Sequence, residues 1–239
     1  MQATHSSIRL IEEPERITES IEEPSPRPTR AIRSIPGAIQ LLYTLEPLAA
    51  AVSLICLAPF LAILAVAIGV LSGASPLVAH RRVGRHGKTL WVYKLRTMWP
   101  SDKRPRAQTF LIERVPDDKP ELKKGPDPRV TSRFAAFLRR HSIDELPQLA
   151  LVVAGRMSLV GPRPITLFEL DEYYGSDSAE VLSLKPGLTG LWQVRGRGRL
   201  SYRQRKRLDL FLVRYLTAGL YFKIVLLTIP DVLFAPNAW

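Results

Sequence analysis

The chain has a single cysteine, Cys56, and four histidines among 239 residues. One cysteine excludes an intrachain disulfide and suits a folded part facing a reducing compartment. Lying in an apolar run, Cys56 reads as a small hydrophobe in a hydrophobic helix. His5, His80, His86 and His141 lack metal-ligand spacing, which argues against a zinc site. Acidic residues are also scarce: 22 against 34 Lys and Arg, a net charge of +12. Residues 1–36 hold five arginines and six glutamates, so the excess lies in the remainder, with 29 basic against 16 acidic residues. A basic chain calls for an anionic partner: a membrane surface, a nucleic acid or a phosphorylated substrate. Aromatics make up 8% and form no stacking stripe among the basic residues. No nucleic-acid motif is present either, so no nucleic-acid partner is expected. No DXD-type metal motif occurs, against a glycosyltransferase built on a nucleotide-sugar fold.

What is present divides the chain in three. Residues 1–36 are rich in Pro, Glu, Ser and Arg, without aromatics, and cannot bury enough surface to offset ordering entropy. A disordered tail is expected there, and its acidic cluster Glu12, Glu13, Glu15 does not suit a signal peptide. Residues 37–79 are expected to form a membrane helix and residues 80–239 a catalytic domain. Residues 47–79 carry no charge, and Pro47-Leu71 exceeds the roughly 20 apolar residues that cross a bilayer. Both flanks are basic: Arg27, Arg30 and Arg33 before, Arg81, Arg82, Arg85 and Lys88 after. The positive-inside rule then wants both ends on one side, and Pro59 removes a mid-helix hydrogen bond. A helix that enters, breaks at Pro59 and returns meets both conditions, with Ser53 available to cover freed backbone groups. A kinked single-pass anchor is the alternative.

Beyond residue 80 the fold class is α+β and α-rich. Arg82-Val83, a Gly84-to-Gly87 turn and Thr89-to-Tyr93 predict a small β-hairpin. Residues 100–127, with five prolines, predict a loop with room for a short helix. Phe134, Phe137 and Leu138 mark a helix ending near Arg140, a second helix starts at Ser142, and 168–184 read as helical. Ser201-Phe234 is amphipathic, its charges Asp209, Arg214, Lys223 and Asp231 arguing for helices lying in the membrane interface rather than crossing it. Trp192, Tyr215, Tyr221 and Trp239 suit that depth.

Asp144-Glu145 is the feature richest in chemistry. It lies between Arg139-Arg140 and Arg163, and adjacent carboxylates beside fixed cations suit a divalent metal and a phosphate-bearing substrate. Ser142-Ile143-Asp144-Glu145 also has the form of a capping box, a purely structural use of the same residues. The two uses are compatible, because a helix N-terminus favours an ionised Asp144 and a bound phosphate. A carboxylate so placed is a candidate nucleophile toward phosphorus, with Lys94, Arg96, Arg139 and Arg163 as candidate phosphate partners. In Gly161-Pro162-Arg163-Pro164 two prolines pin the backbone around one arginine, and Gly196-Arg197-Gly198 offers another cationic loop. Gly87-Lys88-Thr89 copies the end of a P-loop, but the required first glycine falls on Arg82, so that reading is set aside.

The motifs RVGRHGK, YKLRTM, DPRVT, LRRHSIDELPQL, MSLVGPRP and LKPGLTGLWQV with GRG follow one another in this chain. Together they resemble the bacterial sugar transferases, the monotopic phosphoglycosyl transferases, over residues 47–239, and among them the exopolysaccharide galactosyl-phosphate transferases. The resemblance implies transfer of a hexose-1-phosphate, of galactose or glucose, from a UDP-sugar to undecaprenyl phosphate with release of UMP, initiating exopolysaccharide or other surface glycan synthesis. It implies Asp144 as nucleophile through a covalent phosphosugar intermediate and Glu145 as its partner. Mg²⁺, or Mn²⁺ in its place, would be held by both carboxylates. Phosphate contacts fall on Lys94, Arg139 and Arg163, with Arg96 and Arg197 as further candidates from the residues themselves, and the membrane break falls on Pro59. The setting implied is the cytoplasmic face of the bacterial inner membrane. Downstream glycosyltransferases and a second copy in a homodimer are compatible partners. Ala58, Leu151, Arg156 and Arg195 depart from the family's usual residues. A non-catalytic scaffold of the same fold is the rival, expected to show an altered carboxylate pair; here the pair is intact.

Overall fold

An apolar sequence with helix-forming Ala and Leu at nearly half of its positions makes Gly37–Ser72 a single 36-residue helix, α1. This computed structural model describes residues 36–98, 112–115, 130, 132–196 and 200–234, so the expected tail, Arg197 and Trp239 lie outside the described residues. The helix starts ten residues before the apolar run and passes uninterrupted through Pro47 and Pro59, closing on a left-handed Gly73 whose N–H bonds the Gly69 carbonyl. Ser53 donates to the Ala49 carbonyl at 2.9 Å, not to the Ile55 carbonyl that Pro59 leaves without its i+4 donor.

One stripe of α1 is buried at helical spacing: Ile39, Tyr43, Glu46, Ala50, Leu64 and Ile68, with Leu54, Leu57 and Leu61 packed beside it. Its other face exposes Leu48, Val52, Ile55, Ile63, Val66 and Val70. A helix apolar all round but covered on one side only presents a large unpartnered hydrophobic surface.

The hairpin forms as expected and is longer: β1 (Leu77–Val83) pairs antiparallel with β2 (Thr89–Leu95) from Leu77↔Leu95 to Val83↔Thr89. A short turn joins them, with His86 at φ 57° and Gly87 at φ 78°. β1 begins at Leu77, before the boundary placed after residue 79. The expected loop over 100–127 contains β3 (Ile112–Val115), parallel to β1, a strand hidden by its proline-rich neighbours. α2 (Arg133–Arg140) ends where expected. A 3-10 segment, Ile143–Gln148, follows and runs into α3 (Leu149–Val153).

A second pairing joins β4 (Ser158–Val160) and β5 (Gly187–Thr189) in parallel. It requires glycine on both sides, since a Cβ on Gly187 would run into the Gly161 backbone nitrogen. The expected helix over 168–184 is broken: an α turn Leu167–Glu169, a π turn Leu170–Tyr174, a 3-10 turn Gly175–Asp177 and an α turn Ser178–Val181. α4 (Leu191–Arg195), α5 (Tyr202–Tyr215) and α6 (Ala218–Phe234) complete the order. Glu46 ties three of these elements: its Oε1 accepts from Ser158 Oγ at 2.7 Å, the Leu159 N–H at 3.2 Å and Tyr221 Oη at 2.6 Å.

The interfacial reading of α5 and α6 needs correction at several residues. Asp209 is 1% exposed and Trp192 and Tyr221 are buried, so these face the core. Tyr215 is exposed, as that reading requires, together with Phe211, Phe222, Leu226, Ile229, Leu233 and Phe234. Charge and aromaticity along a helix do not disclose which face packs inward when the partner is distant in sequence.

Candidate active site

Three elements converge on the carboxylate pair. α2 is capped by Ser132, whose Oγ accepts from the Ala135 N–H at 3.5 Å. Its last turn delivers Arg139, and the Ser142 N–H bonds back to the Arg139 carbonyl at 3.1 Å. Ser142 then takes a left-handed conformation, φ 55°, and its side chain caps nothing. The expected capping box is therefore not formed. The Glu145 N–H bonds the Ser142 carbonyl instead, at 3.1 Å, and the Glu145 carboxylate is turned elsewhere.

It turns toward two cations. Lys94 Nζ, from β2, donates to Glu145 Oε1 at 2.7 Å, and Arg163 Nη2, from the loop after β4, donates to the same oxygen at 3.2 Å. Burial alone pushes the Glu145 carboxyl up, but these two charges and hydrogen bonds outweigh it and hold the group well below its usual range. Asp144 has the opposite fate. It is 6% exposed, and its carboxylate accepts no hydrogen bond and joins no ion pair among the described residues. Burial, reinforced by the adjacent Glu145 charge and opposed by Lys94, Arg139 and Arg163, pushes its carboxyl up to about 6. Two neighbouring carboxyls thus differ in kind: one neutralised by salt bridges, the other unengaged and held within the field of three cations.

Lys94, Arg139, Asp144, Glu145 and Arg163 are accordingly brought together. Arg139 also donates from Nη1 to Thr97 Oγ1 at 3.3 Å. Arg96 is buried, and its Nε donates to the Ser75 carbonyl at 2.6 Å, tying the end of β2 to the exit of α1. That contact is structural. Arg156, one of the departures, donates to the Thr89 carbonyl at 2.7 Å and likewise braces the hairpin. Arg197 lies outside the described residues.

A family comparison decides what this arrangement belongs to. The model of the bacterial sugar transferases matches residues 41–235.

The chain belongs to the bacterial sugar transferase family.

It is similar to an exopolysaccharide production protein, ExoY, of Rhizobium meliloti, 38% identical over 213 residues that cover 87% of this chain and 91% of that one. It is also similar to a UDP-glucose:undecaprenyl-phosphate glucose-1-phosphate transferase of Caulobacter vibrioides, 38% identical over 203 residues, 82% of this chain and 70% of that one. An undecaprenyl-phosphate galactose phosphotransferase of Salmonella typhimurium is 42% identical over 149 residues, 59% of this chain but 30% of that longer protein. This sugar transferase is therefore an enzyme, a phosphoglycosyl transferase.

Its sequence did not disclose a neighbouring group of residues. Tyr174 Oη donates to Asp209 Oδ2 at 2.8 Å, and both line a cavity of ≈ 40 Å³ with Arg163, Glu169, Trp192, Tyr202 and Arg205. The one available signal was LDLF, an acid within an apolar helical stripe, which is costly unless partnered.

The residues present fit a divalent cation of the Mg²⁺ type. Such an ion keeps waters and substrate phosphates as ligands and needs only one or two protein carboxylates. The unengaged Asp144 carboxylate and the second oxygen of Glu145 supply that donor set. No cluster of three or more His, Cys, Asp or Glu occurs among the described residues, so a cation held by protein ligands alone does not fit there.

Proposed function

We propose that this sugar transferase moves a hexose-1-phosphate from a UDP-sugar to undecaprenyl phosphate, releasing UMP, as the first step of exopolysaccharide or related surface glycan synthesis. The observation that carries the reading is the contrast within the pair: Asp144 unengaged and buried, Glu145 salt-bridged to Lys94 and Arg163. The relatives with these carrier and sugar names support the substrate classes.

In the first half-reaction an Asp144 carboxylate oxygen attacks the sugar-bearing phosphorus. The Oδ–P bond forms, the P–O bond to UMP breaks, and UMP departs with that electron pair. In the second, a phosphate oxygen of undecaprenyl phosphate attacks the same phosphorus, the Oδ–P bond breaks and the carboxylate is regenerated. Lys94, Arg139 and Arg163 lower the barrier by fixed positive charge beside the phosphoryl oxygens. Bound Mg²⁺ would add neutralisation of the diphosphate charge, held by Asp144 and Glu145.

The membrane reading rests on α1. Its first turns pack with Leu212, Tyr221 and Ile224, and its last with Leu95 and Leu138. Both ends thus stay on one body, while the exposed face between Leu45 and Leu71 is apolar apart from Ser53. We read α1 as re-entrant, bending at Pro59 and returning to the cytoplasmic face of the inner membrane, with the exposed residues of α5 and α6 at the interface.

Purified protein incubated with Mg²⁺, undecaprenyl phosphate and a panel of UDP-sugars should release UMP from one donor, and the Asp144→Asn variant should release none. Release by the variant at the wild-type rate would remove Asp144 from the chemistry.

A further inference from the structure

Arg205 is a half-buried cation. Its Nε donates to the Leu200 carbonyl at 3.1 Å, and its guanidinium lies 4.8 Å from the Trp192 ring centre and 5.0 Å from that of Tyr202. No carboxylate forms a salt bridge with it among the described residues. A second guanidinium, that of Arg163, stands 5.7 Å from the same Trp192 ring. Two like charges sharing one aromatic ring and one cavity repel each other. Burial first, with the Arg163 charge adding to it and Tyr202 and Glu169 opposing it, holds the Arg205 guanidinium below its ordinary value. A pair of cations compensated only in part is costly in such a place, and an anionic ligand would offset that cost.

The cavity between them holds ≈ 40 Å³, room for about three water-sized groups, the scale of a phosphate head. Its acids compensate the two cations only in part. Glu169, whose Oε2 accepts from the Thr166 N–H at 2.8 Å, lends opposing charge to both arginines without a salt bridge to either among the described residues. Asp209 Oδ2 takes the Tyr174 hydroxyl, and its Oδ1 has no partner among the described residues. Burial pushes the Asp209 carboxyl up to about 7, so it does not stand as a full negative charge beside Arg205. Arg163 reaches both places at once: Nη2 contacts Glu145, and the same side chain lines this cavity.

We infer that Arg205 and Arg163, above the Trp192 ring, form a second phosphate-monoester subsite, which receives the phosphate of the departing nucleotide while the sugar-bearing phosphorus sits at Asp144. This rests on the transfer reaction proposed above. Arg163 straddles the two phosphates of the donor, and Arg205 meets the charge that grows on the leaving group as the P–O bond breaks. The nucleoside projects out of the cavity.

The test is equilibrium binding to the full-length chain in detergent, followed by Trp fluorescence and calorimetry, in the Asp144→Asn background, where turnover does not interfere. UMP, uridine, inorganic phosphate and a short-chain polyprenyl phosphate are the probes. Arg205→Gln should weaken UMP at least tenfold and leave uridine and the polyprenyl phosphate unchanged, and Arg205→Lys should recover part of the loss. Unchanged UMP affinity in an Arg205→Gln protein with wild-type melting temperature overturns the subsite. So does a loss confined to the polyprenyl phosphate, which would assign the cavity to the acceptor. If Arg205→Gln melts early, Arg205→Lys and the uridine control carry the decision: a uridine loss equal to the UMP loss also overturns it. UMP release by the wild-type enzyme, measured alongside, reports separately on the transfer reaction.

Discussion

Lys94 and Glu145 come from a strand end and a 3-10 turn 51 residues apart and meet at 2.7 Å, Nζ to Oε1. Because Lys94 and Arg163 both settle on Glu145, the adjacent Asp144 is left without a partner in a nearly closed environment. The salt bridge thus has a consequence one residue away. It keeps the positive field at the pair while leaving one carboxylate free for chemistry.

That unpartnered carboxylate should be a stability liability. Asp144 titrates higher in the folded chain than in the unfolded one, so the folded state holds the extra proton between the two values. Stability is then lost as pH rises from roughly 4 to 6 and does not return above it. Asp144→Asn should therefore be more stable than wild type at pH 7.5, by the order of 1–3 kcal/mol, and equal to it near pH 4. Thermal melts of the metal-free proteins at both pH values check this. A less stable variant at pH 7.5 would contradict the assignment.

The same titration should appear in the rate. Without added divalent cation, any residual single-turnover rate should rise with pH through a midpoint near 6, as Asp144 ionises. Saturating Mg²⁺ should move that midpoint to lower pH, since a bound cation favours the carboxylate. A midpoint insensitive to Mg²⁺ would place the ion elsewhere.

Lys94→Met removes one of the two cations on Glu145. With Arg163 still in place, the loss in stability should be about 1–3 kcal/mol, read from denaturant melts, and the rate should fall by about 10²-fold. Stability loss without a rate defect would confine Lys94 to a structural role.

Arg163→Ala and Arg163→Lys separate charge from shape. Arg163 reaches Glu145 and the Trp192 ring together, which the point charge of lysine does not reproduce. Alanine should cost about 10²–10³-fold in kcat and lysine at least tenfold. Lysine at the wild-type rate would show that only the charge matters.

For topology, single cysteines introduced as Gly37→Cys and Lys88→Cys in a Cys56→Ala chain should both react with an impermeant thiol reagent from the cytoplasmic side. Both positions are exposed. Reaction from opposite sides would mean that α1 crosses the bilayer.

The sequence made the hairpin, α2, the long apolar helix and the convergence of Lys94, Asp144, Glu145 and Arg163 legible, because local pattern and motif order carry them. It misled at Ser142, where Ser-x-x-Glu spelled a capping box that a left-handed backbone prevents. The boxes that do form are Thr166 with Glu169 and Ser201 with Gln204. Local spelling is the same in all three; at Glu145 a distant lysine and arginine outcompete the backbone donor. The β4–β5 pair was hidden because each strand is three residues long, and Asp209 because its partner Tyr174 lies 35 residues away.

The central claim is a covalent bond between Asp144 and the sugar phosphate. Purified protein should be mixed with Mg²⁺ and a UDP-sugar labelled in the hexose, with no lipid acceptor, and followed by intact mass and UMP release. One equivalent of UMP released in a burst, with a hexose-phosphate adduct mapping to Asp144 and discharged by undecaprenyl phosphate, is the expected result. UMP release that begins only when acceptor is added, with no adduct at any time, would mean direct transfer and contradict the account.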